Sequence, residues 1–305
     1  MGHNHGHSHG HSHGSGNKKA LFLSFLIITS FMVVEVIGGI VTNSLALLSD
    51  AGHMLSDSAA MGLSLAAIKL GERKASSTHT FGYRRFEIIA ASINGITLIA
   101  ISLYIFYEAY QRLMYPPEVQ SMGMLLISVL GLIVNIIAAA ILMRADKDTN
   151  LNVRSAFFHV LGDMLGSVGA IVAALLIMFF GWGIADPIAS IIVAILIIIS
   201  GWRVTKESFH VLMEGTPSQI DIQKVKNTLQ SIPKVENVHD LHIWSITSEV
   251  PMLSCHIEFG GDGNHDAILH QAQKILHDEF GFEHSTIQVE NADQGCANPH
   301  GTCDY

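Results

Sequence analysis

Charge is scarce in this 305-residue chain: 14% of its residues are Asp, Glu, Lys or Arg, against about 25% in soluble domains. Three stretches, Ile88–Tyr107, Ser121–Met143 and Pro187–Trp202, hold none at all. Together with 49% hydrophobic residues and a mean hydropathy of +0.39, this excludes an ordinary soluble globule. An excess of positive charge is also missing. Only 17 Lys and Arg face 26 Asp and Glu, for a formal net charge of −9, so no basic face is available for nucleic acid. Cysteine is rare as well: three residues, with Cys255 remote from Cys296 and Cys303, make no disulfide framework and fit a reducing compartment for the non-membrane part. No H-E-x-x-H, G-x-S-x-G or P-loop pattern occurs, which removes the usual zinc-protease, serine-hydrolase and nucleotide-binding chemistries. Histidine, by contrast, is abundant at 18 residues.

What is present is a series of long apolar runs. A bilayer core needs about 20 mainly apolar residues per helix, and six segments qualify: Ala20–Val41, Leu45–Leu70, Phe86–Leu113, Ser121–Met143, Ser155–Phe180 and Ile184–Trp202. The first is too long for a signal-peptide core and no A-x-A-like cleavage site follows it, so it reads as a retained helix. Cations decide the orientation. Lys18 and Lys19 precede the first span; Lys69, Arg73, Lys74, Arg84 and Arg85 lie between the second and third; Arg144, Lys147 and Arg154 join the fourth and fifth; Arg203 and Lys206 follow the sixth. The opposite loops hold only Arg112, so the positive-inside rule places both termini in the cytoplasm of a multi-pass cell-membrane protein.

From about Leu212 the pattern changes to that of a water-soluble domain. Ile220, Val225, Leu229 and Ile232 recur at a helical period before Pro233 breaks it. Val235–Ile246 and Met252–Phe259 read as strands, His265–Phe280 as a helix and Ser285–Glu290 as a last strand. An α-β-β-α-β order implies a small α+β domain with an open sheet. The expected organisation is therefore a His-rich cytoplasmic tail over 1–17, an all-α six-helix membrane domain over 18–211, a cytoplasmic domain over 212–293, and a Cys/His-containing tail over 294–305. No internal repeat is evident.

An ionisable group near the bilayer centre costs about 2.5–3.5 kcal/mol even on the lenient insertion scale, so each needs a reason. Two spans share one pattern, H-x-x-x-D, in "HMLSD" at 53–57 and "HVLGD" at 159–163. Residues four apart share a helix face, so each span offers one imidazole and one carboxylate to a common point. His53, Asp57, His159 and Asp163 together make a four-ligand set of two nitrogens and two oxygens suited to tetrahedral Zn2+, whereas Mg2+ and Ca2+ prefer more oxygens. A wheel at 100° per residue adds Ala46, Ser49, Asp50, Ser56, Ala60 and Ser64 to the His53/Asp57 face, with Leu47, Leu48, Leu55 and Leu65 away from it. The matching sector of the fifth span holds Ser155, Gly162, Gly166 and Ala170. Small residues let membrane helices approach closely, so the second and fifth spans are predicted to touch. Buried polar glue between helices is the plain alternative, but it does not explain a duplicated pair. Asp50, three residues before His53, reads either as a partner orienting the ligands or as a water-facing group at a helix entrance. Four protein ligands leave no position for an activated water, so transport is a better reading than catalysis.

Seven segments in order now carry a resemblance: "NSLALLSDAGHMLSD" at 43–57, "HTFGYRRFEIIAA" at 79–91, "HVLGDMLGS" at 159–167, "ADPIAS" at 185–190, "LMEGTP" at 212–217, "VHDLHIW" at 238–244 and "TIQVE" at 286–290. From about Lys18 to Glu290 the chain resembles the cation diffusion facilitator transporters, in particular their bacterial zinc and cadmium exporters. The resemblance implies a homodimer of six-helix protomers whose cytoplasmic domain is ferredoxin-like and helps hold the dimer together. It places His53, Asp57, His159 and Asp163 in the transport site. It matches His79 to one ligand of a second site whose other positions are Ser76 and Tyr83 here, which makes that site weak or absent. It matches His239, His256 and Glu290 to regulatory zinc ligands, and Arg85 and Glu214 to a charge pair at the domain junction. On the strand pattern alone His256 faces away from the buried sheet side, while Cys255 shares the apolar phase with Leu253 and Ile257 and reads as a buried thiol. Surface histidines and edge charges are the plain alternatives for these positions.

The N-terminal tract places His3, His5, His7, His9, His11 and His13 among Gly, Ser and Asn. It cannot pack a core and its imidazoles are free to capture metal; an expression tag is the competing explanation, though tags are usually uninterrupted. Cys296, His300 and Cys303 follow no standard zinc spacing. The function expected from all this is export of Zn2+, with Cd2+ as a further substrate, by alternating access in exchange for protons, with Zn2+ also a regulator. A membrane zinc sensor or store without net transport is the alternative.

Overall fold

The computed structural model describes residues 13–55, 58, 76–143, 151–247, 250–261 and 263–292, with side chains described from residue 22 and, after the 143–151 gap, from residue 160. The chain divides into two compact units, one drawn from 1–62 and 93–203, the other from 63–92 and 204–305.

The first unit is helical. It contains α1 (His13–Thr42), α2 (described over 45–55, with residue 58 also helical), most of α3 (Phe86–Met114), α4 (Ser121–Met143), α5 (Leu151–Phe180) and the larger part of α6 (Ala185–Leu212). Five of these are long and apolar enough to cross a membrane among the described residues: Phe22–Thr42, Phe86–Met114, Ser121–Met143, Val160–Phe180 and Ala185–Leu212. The other expected span is described only over the opening turns of α2. In lipid every backbone polar group must be satisfied within its own segment, which is why these apolar runs form uninterrupted helices. α6 runs past Trp202, where the apolar run ends, because no helix breaker intervenes before Gly215.

Packing in this unit places small and polar residues inside and large aliphatic ones outside. α4 buries Met124, Ser128, Gly131, Asn135, Ala138 and Leu142 at helical spacing, and α5 buries Val160, Asp163, Ser167, Ala170 and Ala174 in the same way. Val33, Ile37, Leu126, Ile133, Leu165 and Val172 are exposed. That is the arrangement expected when lipid surrounds the bundle. α1 turns into α2 at Asn43, which adopts the left-handed conformation (φ 56°) that short polar side chains tolerate, and Ser44 then caps α2.

The second unit contains the α-β-β-α-β order expected from the sequence: α7 (Ile222–Gln230), β1 (Val235–Thr247), β2 (Val250–Phe259), α8 (His265–Phe280) and β3 (His284–Asn291). Asp221 and Asn264 cap the two helices, each accepting two first-turn amides, and Gly281 ends α8 at φ 72°. The sheet runs β1-β2-β3, with β1 and β2 antiparallel and β2 and β3 parallel across the α8 crossover. The first strand of a β-α-β-β-α-β ferredoxin-like order has no counterpart among the described residues. Val225, Leu229, Leu253, Ile257, Ala272 and Leu276 anchor the core between sheet and helices.

Candidate metal centres

In the membrane unit, α2 and α5 bring two of the four predicted ligands together. His53 Nε2 lies 3.8 Å from Asp163 Oδ1, and the Asp163 side chain is fully buried while that of His53 is 21% exposed. Two donors sharing one tetrahedral Zn2+ at 2.0–2.2 Å stand about 3.4 Å apart, so this separation is close to that of a metal-bound pair. Asp57 and the His159 side chain lie outside the described residues. The hydroxyls of Thr29 on α1 and Ser58 share a hydrogen bond of 3.1 Å.

The close helix approach predicted from small residues is found at Gly166. A Cβ built there would stand 2.8 Å from Asp50 Oδ1, so only glycine lets α5 lie against this carboxylate. At Gly162, one turn earlier, a Cβ would meet nothing within 4 Å among the described residues. The wheel placed Leu47 away from the contact, yet it is fully buried in a cluster with Ala46, Met124, Ala170, Ala173 and Ala174. α2 is enclosed around more of its circumference than a single helix contact would require.

Glu35 of α1 was missed by the sequence reading. It is 1% exposed, and Asp50 and Asp163 are 3% and 1% exposed. A hydrogen bond joins Glu35 to Asp50, and its charge also acts on Asp163. Such a bond requires a proton on one of the two carboxyl groups. The signal that would have found Glu35 is an acid in the middle of the first apolar run, subject to the same cost that singled out the second and fifth spans. Glu35, Asp50 and Asp163 are thus three buried acids that act on one another within the membrane unit.

The second unit gathers the other predicted cluster. Cross-strand pairing sets His239 of β1 opposite His256 of β2, and the parallel register sets Glu258 beside Glu290 of β3. His239, His256 and Glu290 each offer a ligand atom, all within 4.8 Å of one another. His256 Nδ1 is 3.1 Å from Glu290 Oε1, His239 Nε2 is 3.8 Å from Glu290 Oε2 and 3.4 Å from Glu258 Oε1, and Asp240 Oδ2 is 3.7 Å from His256 Nε2. Both His239 nitrogens, His256 Nδ1 and Glu290 Oε2 are buried with no hydrogen-bond partner among the described residues. Buried polar atoms of this kind call for a ligand, and a donor set of two imidazoles and one carboxylate at this spacing fits Zn2+. Cys255 points the other way, into the core; burial first, and the nearby Asp240 charge second, push its thiol up to about 12, so it is a packing group and not a ligand.

The remaining predicted positions are less organised. His79 stands in an exposed turn, hydrogen-bonded to Thr78 Oγ1 at 3.1 Å and stacked on Tyr83 at 4.7 Å. Neither Ser76 nor Tyr83 adds a carboxylate or imidazole to it. Arg85 Nη2 meets Glu214 Oε1 at 3.4 Å with both side chains substantially exposed, a pair worth about 0–1 kcal/mol. These two line a cavity of about 860 Å3 with Trp244 and Thr216; none of the His239, His256, Glu290 cluster lines it. His3, His5, His7, His9, His11, Cys296, His300, Cys303 and the His13 side chain lie outside the described residues.

Comparison with known proteins covers both units. Residues 21–213 match the cation efflux transmembrane domain and residues 217–292 the cation efflux protein cytoplasmic domain. The chain is 54% identical over 296 residues to the cadmium, cobalt and zinc/H(+)-K(+) antiporter of Bacillus velezensis, covering 96% of this chain and 93% of that one. It is 43% identical over 300 residues to the zinc transporter ZitB of Escherichia coli, covering 98% and 95%. It is 40% identical over 292 residues to the metal cation efflux system protein CzcD of Cupriavidus metallidurans, covering 95% and 90%.

Proposed function

Because the chain belongs to the cation diffusion facilitator family, matched through both its membrane and its cytoplasmic parts, we propose that it carries Zn2+, and Cd2+ as a further substrate, out of the cytoplasm in exchange for protons. The transporter and antiporter names of its relatives favour efflux over a fixed zinc store or sensor. The observation that carries the reading is the approach of His53 to Asp163 at 3.8 Å, from two different apolar helices. His53, Asp57, His159 and Asp163 hold the ion, with Asp50 and Glu35 beside them. Metal binding needs neutral imidazoles and ionised carboxylates, so the same groups hold either the ion or protons. An acidic exterior protonates the set and releases the metal outward; a more alkaline cytoplasm favours loading. Six spans over 18–211 rock around the fixed site to expose it to each side in turn. The cytoplasmic domain over 212–293, ferredoxin-like in kind, joins two protomers and holds a regulatory Zn2+ on His239, His256 and Glu290, whose orphaned buried atoms support that role. Both termini are cytoplasmic, where the tail over 1–17 captures metal, and Arg85 and Glu214 pair within the second unit.

Zinc uptake into everted membrane vesicles with an imposed pH gradient tests this reading. Asp163→Ala is expected to abolish both zinc accumulation and zinc-driven proton release. Transport by that variant at the unmodified rate would refute the assignment, and zinc bound without accumulation in the unmodified protein would revive the sensor.

A further inference from the structure

The "ADPIAS" segment at 185–190 places a carboxylate deep in the membrane unit, apart from the metal pair. Asp186, in the first turn of α6, is 0% exposed. Both its oxygens accept hydrogen bonds from the start of α2: Oδ1 from Ser44 Oγ at 2.6 Å and from the Ala46 amide at 3.1 Å, and Oδ2 from the Leu45 amide at 2.8 Å. Ser44 Oγ in turn accepts the Leu47 amide at 3.3 Å. A third helix joins through Arg112 of α3. Its Nη1 lies 3.7 Å from Asp186 Oδ2 and donates to the Asn43 carbonyl at 2.6 Å; its Nη2 donates to Asn43 Oδ1 at 3.2 Å and its Nε to Glu108 at 3.0 Å.

The first amides of a helix carry a partial positive charge and no partner within the helix. One carboxylate here faces the N-termini of two helices and a guanidinium together. Satisfying the amides alone would not require it, because a cap supplied from within the helix does that, and Ser44 already supplies one. A cap from α6 does something further: it fixes the rotation and height of α2 against α6 and α3. His53 lies about 12 Å along α2 from Leu45, at 1.5 Å per residue, so its imidazole inherits that setting.

We propose that Asp186 is a positioning residue for the metal pair: by capping α2 from α6, with Arg112 holding the corner, it sets where His53 meets Asp163. The inference rests on the transport reading above. Zinc uptake in everted vesicles is compared for the unmodified protein, Asp186→Asn, Asp186→Ala, Asp186→Ala with Ser44→Asp, and His53→Ala, with thermal stability measured on each. Asp186→Asn keeps one acceptor but turns an amide towards donors, and it is expected to raise the zinc KM about tenfold, the scale of losses when groups orienting a metal site are removed. Ser44→Asp restores a local cap to α2 but no tie to α6. It is expected to return stability to Asp186→Ala while leaving the KM raised. A normal KM in Asp186→Asn, or a KM restored by the local cap, overturns the proposal; the double variant decides it if Asp186→Asn fails to accumulate. If His53→Ala transports normally, the transport site itself is misassigned and this inference falls with it. Loss in His53→Ala beside an unaltered KM in the Asp186 variants removes this inference alone.

Discussion

Replacing Gly166 by alanine adds one methyl group where α5 lies against the Asp50 carboxylate. The new Cβ would stand 2.8 Å from Oδ1, 3.3 Å from Cγ and 3.4 Å from Oδ2. Ordinary contact begins near 3.4 Å, so about 0.6 Å of extra separation must be found. Asp50 is poorly placed to supply it, being 3% exposed and hydrogen-bonded to Glu35. The alternative is for α5 to back away, and α5 carries Asp163 one turn earlier. A shift of that size exceeds the roughly ±0.2 Å over which metal–ligand distances are held. Overpacking of this kind costs about 1–3 kcal/mol, against a helix-propensity gain of up to about 1 kcal/mol for Gly→Ala.

Gly162→Ala is the matched control, since its Cβ meets nothing within 4 Å among the described residues and the propensity gain is what applies there. The two variants differ, then, by the overpacking alone, about 1–3 kcal/mol of folding stability, and by the displacement of Asp163 that goes with it. Zinc-dependent uptake and thermal melting of both variants measure this directly. Gly166→Ala is expected to raise the zinc KM and lower the melting temperature, and Gly162→Ala to leave uptake near normal. Equal uptake by the two would refute the inferred contact between α2 and α5 as the determinant of site geometry.

Glu35→Ala is expected to destabilise the protein by about 1–3 kcal/mol, because it withdraws a buried hydrogen-bond partner from Asp50, whereas Glu35→Gln keeps a donor there and costs less; equal melting temperatures for the two variants would contradict the pairing. Zinc at about 100 times its Kd should stabilise the cytoplasmic unit by about 2.7 kcal/mol over chelated protein, an increment that His256→Ala removes and His79→Ala leaves intact in calorimetry. With Cys296 and Cys303 replaced by Ser, native Cys255 at pH 8 should be alkylated about 1,000-fold more slowly than in denaturant, since its thiol is held at about 12 against an ordinary 9.0. The folded state retains a proton there that the unfolded chain releases, so this burial loses its stabilising contribution as pH rises from 9.0 towards 12; comparable labelling rates would place the thiol outside the core.

Local patterning made much of this molecule legible. The alternation of Leu253, Cys255 and Ile257 against Ser254 and His256 put the thiol in the core and the imidazole on the other face, and the structure agrees because a strand's period of two leaves no other choice once one face is buried. The helix over His265–Phe280 was readable to the residue, since Asn264 and Gly281 mark its ends chemically. Long-range partners were not legible. Nothing near Ser44 announces that a carboxylate on α6 will bond to it, and nothing near Gly166 says that Asp50 fills the space its missing Cβ leaves. Leu47 was misplaced for a related reason: a wheel ranks the faces of one helix but does not count how many neighbours surround it.

Glu35 was overlooked although the rule that exposed His53 and Asp163 applies equally to it; Asp186, in the first turn of α6, stands at the end of its span and outside that rule. Repetition drew attention to the H-x-x-x-D pairs, yet the cost of burying charge does not depend on repetition. What separates these charges is the partner each finds. Asp186 receives three donors from the start of α2, all at 3.1 Å or less, and a guanidinium at 3.7 Å, as a structural strut does. His53 and Asp163 stand 3.8 Å apart, wider than a hydrogen bond and close to the spacing of two groups that share an ion. On the proposed transport reading, the partner distinguishes a residue that holds the bundle from one that would hold the cargo, and the first kind would set the precision with which the second works.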